Sequence, residues 1–292
     1  MPHLFFISDL HLEHRTEESW ELFGDPDIVV LAGDVHTKAR GVKWAQDTFS
    51  GIPVVYILGN HEGWGKHWQD VLSKMRDQAL GSNVHILHRN SVQLCGIRFL
   101  GATLWTDFSA WPDKQQAYDS AVMVNRDRYA PGMRDYRKIR TGGYRRLHPR
   151  DVLGWNTEDK NFLLSSSSEP FDGPTVVVSH HPPSLAAMKF PAQDPSDAGY
   201  ASDWEYGVKQ ISPVAWLYGH THSPKYFHVG NTLMASHAVG HPEEGLSQLF
   251  KNALNVPLDG SPVKIIKNKY DLRGVSRSPK DIRKEFMSTK WP

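Results

Sequence analysis

The chain has a single cysteine in 292 residues, Cys95, so no intramolecular disulfide can form and a reducing compartment suits it. An excess of charge of one sign is also lacking. Lys and Arg number 33 against 32 Asp and Glu, a formal net charge of +1. That balance provides no general field for a nucleic-acid track or an anionic membrane surface. Long apolar runs are missing as well. The first, Leu4–Ile7, follows no basic region and is interrupted at once by Ser8 and Asp9. It is too short for a signal peptide, and no stretch reaches the length of a membrane span. The expectation is a soluble cytoplasmic protein without a membrane partner. There are no internal repeats and no long low-complexity tract, and the length allows one large domain or two small ones.

Histidine is abundant, with sixteen in all, many placed just after apolar runs. Leu4–Ile7 reads as a buried strand that runs into Ser8-Asp9-Leu10-His11. In extended backbone Asp9 and His11 would point the same way, forming half of a mixed oxygen and nitrogen metal site. A helix N-cap is the other reading of Asp9. A short helix is expected over Thr16–Phe23. Asp27–Ala32 is a second strand ending in Gly33-Asp34, and a helix follows through Val42, Ala45 and Phe49. The third strand, Pro53–Ile57, leads into Leu58-Gly59-Asn60-His61-Glu62, which alone could be a polar turn that happens to hold a histidine. If alternation turns Asn60 toward a metal, His61 faces away from it. This succession of strand, polar tip and helix indicates an α/β fold, in which ligands gather at the carboxyl ends of the strands.

After a helix near His67–Leu80, the segments Val84–Leu87, Ser91–Leu94 and Ile97–Leu104 read as short strands. An antiparallel meander or hairpin at a sheet edge is expected, with Cys95 as a buried structural thiol. From Trp105 to about Leu153 the pattern breaks down. Arg126, Arg128, Arg134, Arg137, Lys138, Arg140, Arg145, Arg146 and Arg150 are interleaved with Tyr129, Tyr136 and Tyr144. This is either a solvated helical face or a cap that brings guanidinium and phenol groups to a phosphate or nucleobase. A helix is expected from Thr157 to about Ser168. Thr175–Val178 is a strand ending in Ser179-His180-His181-Pro182-Pro183, and Phe190–Asp203 is a loop able to line a pocket. Val214–Tyr218 ends in Gly219-His220-Thr221-His222. Tyr226–Val229 and Thr232–Ala235 form a hairpin, Val263–Ile266 a further strand, and the residues from Arg273 onward a solvated or partly disordered basic tail.

Taken in order, the strand tips read Asp-x-His (Asp9, His11), Gly-Asp (Asp34), Gly-Asn-His-Glu (Asn60, His61), His (His180) and Gly-His-x-His (His220, His222). This series resembles the calcineurin-like metallophosphoesterase superfamily, of bacterial or phage type, from Leu4 to about Ala235. The resemblance implies a four-layer α/β/β/α sandwich of two mixed sheets flanked by helices. It would span residues 1–240, with an arginine-rich cap insert at about 105–153 and a C-terminal extension over 241–292. Two divalent ions are implied. Asp9, His11, Asp34 and His222 would hold one, and Asp34, Asn60, His180 and His220 the other. Asp34 is then the bridge, His180 rather than His181 the ligand, and His61 an unligated imidazole facing the substrate. His14, three residues after His11, reads as a surface histidine, with substrate contact as the alternative. One segment departs from the pattern: Ser236–Pro242 stands where many bacterial relatives carry an Asn-Pro-Arg-Gly-type sequence.

The chemistry this implies is coherent. A carboxylate can bridge two cations roughly 3.5–4 Å apart, and bound metal lowers the pKa of water toward about 7. Two dications against Asp9, Asp34 and a hydroxide leave a charge of about +1, which suits a phosphate ester. The imidazole-rich, thiolate-free donor set suits Mn, Fe, Zn, Co or Ni. The expected activity is hydrolysis of phosphate esters, phosphodiesters favoured, by metal-bound hydroxide with His61 as general acid. Alternatives are a phosphomonoesterase or protein phosphatase, a nuclease, and a non-catalytic scaffold. The expected partner is a small phosphate ester or nucleotide, with nucleic acid possible but not favoured.

Overall fold

A computed structural model of the protein describes residues 2–15, 25–123, 132–244, 252–258 and 261–267. The helix expected over Thr16–Phe23, the insert's Arg126, Arg128 and Tyr129, and the basic tail lie outside the described residues.

Two six-stranded sheets pack face to face. Strands are numbered in chain order. The first sheet contains β1 (His3–Ile7), β2 (Ile28–Leu31), β3 (Val54–Ile57) and β4 (Val84–Leu87), all parallel, with β13 (Asn252–Asn255) antiparallel to β1 and β14 (Lys264–Lys267) outside it. The second sheet contains β5 (Asn90–Leu94), β6 (Ile97–Ala102), β9 (Thr175–Ser179), β10 (Ala215–Tyr218), β11 (Lys225–Val229) and β12 (Thr232–Ser236), in the order β11-β12-β10-β9-β6-β5. Its inner four strands are parallel, and the edge strands β5 and β11 are antiparallel to their neighbours. A two-residue pair, β7 (Arg140–Thr141) with β8 (Arg145–Arg146), lies in the insert.

The period-two pattern sorts the side chains into layers. Leu4 and Phe6 of β1, with Ile28 and Val30 of β2, meet Phe99, Val176, Val178 and Leu217 of the second sheet in one buried cluster between the sheets. The alternate residues Phe5, Ile7, Val29, Leu31 and Tyr56 face outward, onto α1 (Arg40–Thr48) and α2 (Trp68–Ala79). On the far side, Leu100, Val177, Trp216 and Met234 meet Leu163 of α5 (Pro149–Ser167) and Val208 of α6 (Glu205–Ile211). This is the four-layer α/β/β/α order. Each fully buried Leu, Ile, Val or Phe contributes about 1.5–3 kcal/mol, so strands apolar on both faces are explained by layers on both sides.

Three local expectations change. The segment from Val84 is not a meander, because β4 completes the parallel first sheet and only β5 and β6 form a hairpin, at the edge of the second. Cys95 is exposed rather than buried. With Gly96 it forms the two-residue turn of that hairpin, both at positive φ, which points its side chain away from the sheet. The helix expected from Thr157 already starts at Pro149. Proline stands at its first position, and His148 and Asp151 form a reciprocal capping box. In the insert, α3 (Lys114–Val122) and the short α4 (Asp135–Lys138) precede it.

Candidate metal centre

All the sequence-predicted site residues come together where the parallel strands of both sheets end. Asp9 and His11 follow β1, Asp34 follows β2, and Asn60 and His61 follow β3. His180 follows β9, and His220 and His222 follow β10. Five of them turn back on the backbone in the left-handed region: Asp9, His11, Asp34, His220 and His222, with φ of 54°, 46°, 53°, 67° and 44°. For non-glycine residues this costs on the order of 1–3 kcal/mol each, and such strain collects at functional sites. Asp9 and His11 are therefore aimed by two tight turns and not by extended alternation. Neither does alternation separate Asn60 from His61, since Asn60 is helical and His61 opens a one-turn 3-10 helix.

Close approach of the loops needs glycine. A Cβ on Gly59 would lie 2.2 Å from Oδ1 of Asp34, and one on Gly219 would lie 2.6 Å from Oδ2 of Asp9. Glu62 ties the loops together. Its carboxylate accepts from the backbone N–H of Gly59 (2.7 Å), Asp34 (3.1 Å) and Val35 (3.0 Å) and from the Tyr56 hydroxyl (2.9 Å).

The donor atoms face one another. Oδ2 of Asp34 lies 3.5 Å from Nε2 of His180 and 3.9 Å from Nε2 of both His11 and His61. Nε2 of His180 is 2.9 Å from Oδ1 of Asn60. The tautomers follow from the other ring nitrogens. Nδ1 of His180 donates to the Ala32 carbonyl, so in the neutral ring Nε2 is left to accept. The Asn60 amide nitrogen donates to Oδ1 of Asp135, which turns its oxygen toward His180. With that ring neutral, two acceptors would meet at 2.9 Å. The same holds for His11 and His222, whose Nε2 atoms lie 3.0 Å apart while their Nδ1 atoms face Glu13 (3.4 Å) and Glu244 (2.7 Å). Nε2 of His222 is also 3.4 Å from Oδ1 of Asp9. Lone pairs so close repel unless a proton or cation lies between them. Donors at about 2.0–2.2 Å from one ion would be separated by about 3–3.5 Å, close to these spacings. Nε2 of His220 is buried with no hydrogen-bond partner among the described residues. The donor set fits divalent metal.

Electrostatics agree. Burial would lower His180 and His222, but the Asp34 carboxylate lifts His180 to about 9, and the hydrogen bonds that His222 donates to the Asp9 and Glu244 carboxylates lift it to about 10. Burial would raise Asp34, yet His180 and His61 hold its carboxyl well below the usual range. The site attracts positive charge strongly, and a cation would take the place of these protons. His181 differs. Its ring stacks on Trp105, and burial holds it well below the ordinary histidine range. It lies near His180 and His220 but, among the described residues, forms no hydrogen bond or ion pair with Asn60 or Asp34, whereas His180 reaches both.

His61 has its own support. Nδ1 donates to Oε1 of Glu13 at 2.7 Å, and the ring stacks on Trp64 with centroids 3.5 Å apart. Burial would lower its pKa, but the charge of Asp34 and the Glu13 hydrogen bond raise it. His14 is exposed, with Nε2 3.9 Å from Glu13.

Among the described residues, the insert reaches the site through an acid rather than through its arginines. Oδ1 of Asp135 in α4 accepts from both Asn60 (2.9 Å) and Nε1 of Trp64 (2.7 Å). Nζ of Lys138 lies 3.8 Å above the Trp64 ring. Arg145 pairs instead with Asp151, and Arg140 bonds the carbonyls of Arg137 and Ile139. Sequence reasoning passed over Glu13, Glu62, Asp135 and Glu244. Glu13 and Glu62 stand beside predicted site residues, and that adjacency was a usable signal. For Asp135, 75 residues from Asn60 in the chain, no local signal existed.

Comparison with known proteins gives a consistent family. The model of the calcineurin-like phosphoesterase family matches residues 2–224. An uncharacterized protein, L509 of Acanthamoeba polyphaga mimivirus, is 24% identical over 272 residues, covering 82% of this chain and 92% of that one. The crystal structure of the phosphopantetheinyl hydrolase of Mycobacterium tuberculosis shares the fold, with a TM-score of 0.63 and 20% identity, over 83% of this chain and 91% of that one. A putative 5'-nucleotidase from Staphylococcus aureus matches at a TM-score of 0.49 and 11% identity, over 98% of this chain and 57% of that one.

Proposed function

The chain belongs to the calcineurin-like phosphoesterase family, and from that premise we propose that it hydrolyses phosphate esters, phosphodiesters in preference, using two divalent cations. In this reading Asp9, His11, Asp34 and His222 hold the first cation and Asp34, Asn60, His180 and His220 the second, with Asp34 shared. The observation that carries it is the convergence of donor atoms within about 3–4 Å around the Asp34 carboxylate, His11 with His222 and His180 with Asn60. When bound, the cations would polarise the phosphate and acidify water, from the set Mn, Fe, Zn, Co or Ni.

The protein's own groups divide the remaining work. Glu62 and Asp135 hold the Asn60 loop in place. His61, its Nδ1–H fixed by Glu13, keeps Nε2 on the Asp34 side, 3.9 Å from Oδ2, and carries the proton for the leaving alkoxide there. The diester preference follows from charge. Of the described insert arginines, Arg140 bonds the carbonyls of Arg137 and Ile139 and Arg145 pairs with Asp151, so these two do not add charge for a dianionic monoester. The substrate class is a small phosphate ester or nucleotide.

The test is turnover of bis-p-nitrophenyl phosphate against p-nitrophenyl phosphate with each metal in turn, alongside metal analysis of the purified protein. Faster diester turnover with about two ions per chain is expected. Equal or faster monoester turnover would refute the diester preference. A chain that retains no metal and cleaves neither ester would be a scaffold of the same fold.

A further inference from the structure

The segment Ser236–Pro242, which departs from the family pattern, does not run past the site. Beyond β12 it crosses to the first sheet, where Ala238 forms a parallel bridge with Ser8. Ser8 N–H donates to the His237 carbonyl and Val239 N–H to that of Ser8, and Nδ1 of His237 donates to the Phe6 carbonyl. Arg15 then bonds the carbonyls of both Leu10 and Gly240, and Gly240 turns the chain at a φ of 73°. The result sets His241 face to face with His11, centroids 4.1 Å apart and planes at 25°. The rings of His222 and His61 lie 5.1 and 6.0 Å away. A single oxygen of Glu244 accepts from both the His241 backbone N–H (2.8 Å) and Nδ1 of His222 (2.7 Å), locking the two together. The ring is half-buried, and neither of its nitrogens has a partner among the described residues.

A ring nitrogen of His241 lies within 4.8 Å of nitrogens on His11 and His222, so a further metal ligand is one interpretation. The stacking argues against it. An imidazole lone pair lies in the ring plane, and two stacked rings lying nearly parallel hold their lone pairs in separate, nearly parallel planes. They do not converge on one cation. A ring stacked on a ligand instead reaches one shell further out, where an oxygen of a bound phosphate would sit. We propose that His241 is a substrate-contacting residue, donating a ring N–H to a non-bridging phosphate oxygen on the first-cation side. This rests on the phosphoesterase reading above.

His241→Ala and His241→Gln separate the possibilities, with metal content measured by mass spectrometry and inorganic phosphate binding to the manganese-loaded protein by calorimetry. Unchanged metal content is expected, with phosphate affinity weakened about tenfold or more in the alanine variant, the scale of one hydrogen bond to a charged oxygen. The glutamine variant keeps an N–H donor and the loop's bulk, so it should recover part of that affinity. The KM for bis-p-nitrophenyl phosphate should rise in parallel. Loss of one metal ion in both variants would make His241 a ligand and overturn the proposal. Wild-type metal content together with wild-type phosphate affinity would overturn it as well, leaving only packing. Should the wild-type protein hold no metal and cleave neither ester, the phosphoesterase reading fails and takes this one with it. Should the wild type do both while the variants match it, only the role of His241 fails.

Discussion

Asp135 offers the sharpest test of how this site is held. One of its oxygens, Oδ1, accepts from both Asn60 and Trp64, and Oδ2 makes no hydrogen bond among the described residues. Asp135→Ala would leave two buried donors unpaired, at about 1–3 kcal/mol each. Burial disfavours the Asp135 carboxylate and raises its pKa, so losing the charge offsets part of that cost. The expected destabilisation is about 2–4 kcal/mol. Asn60 would also be free to turn its amide, which should weaken second-cation affinity by about 10–100-fold, the usual effect of losing an outer-shell partner. Asp135→Asn behaves differently, because an amide oxygen in the position of Oδ1 can accept both bonds. It should stay within about 1 kcal/mol of wild type and retain both cations. Denaturant melts give the stabilities, and competition with a chelator gives the metal affinities. If the asparagine variant fell as far as the alanine variant, the carboxylate's charge and not its geometry would be what matters. If alanine left both affinities intact, Asp135 would not orient Asn60 at all.

Three other outcomes follow from the same geometry. Asp34→Asn should abolish metal binding and turnover together, whereas His61→Ala should keep its metal and lose about 10²–10⁴-fold in turnover, most for poor leaving groups; metal analysis beside leaving-group series separates them, and identical behaviour would refute the division of roles. Glu13→Gln removes a group that raises His61, so His61 should lose its proton at lower pH and the alkaline fall in kcat should move to lower pH. An unmoved alkaline limb in the pH profile would mean that another group donates the proton. Gly59→Ala would drive a methyl into Asp34 and should lower metal content in a protein that still folds, which circular dichroism and metal analysis would show together.

Much of this protein was legible in one dimension. Each apolar run that ends in Asp-x-His, Gly-Asp, Gly-Asn-His-Glu or Gly-His-x-His is a strand whose residues must be buried on both faces. A polar tip after such a strand has only the sheet end to occupy, so an α/β fold and the series of strand-tip residues could be read from order and spacing, while the four-layer sandwich was implied by the family resemblance. What could not be read depends on contacts between distant segments. Cys95 looked buried because its neighbours are apolar, but a hairpin turn decides direction by φ. The aim of Asp9 and His11 looked like strand alternation, yet left-handed turns set it. Asp135 stands among arginines and gives no local sign that it reaches Asn60. His241 acquires meaning only because the chain after β12 crosses to the other sheet and lays its ring on His11. Local sequence determines which residues can be buried and which tips are polar. Only tertiary packing decides which lone pairs face one another, because that depends on where separate loops stop.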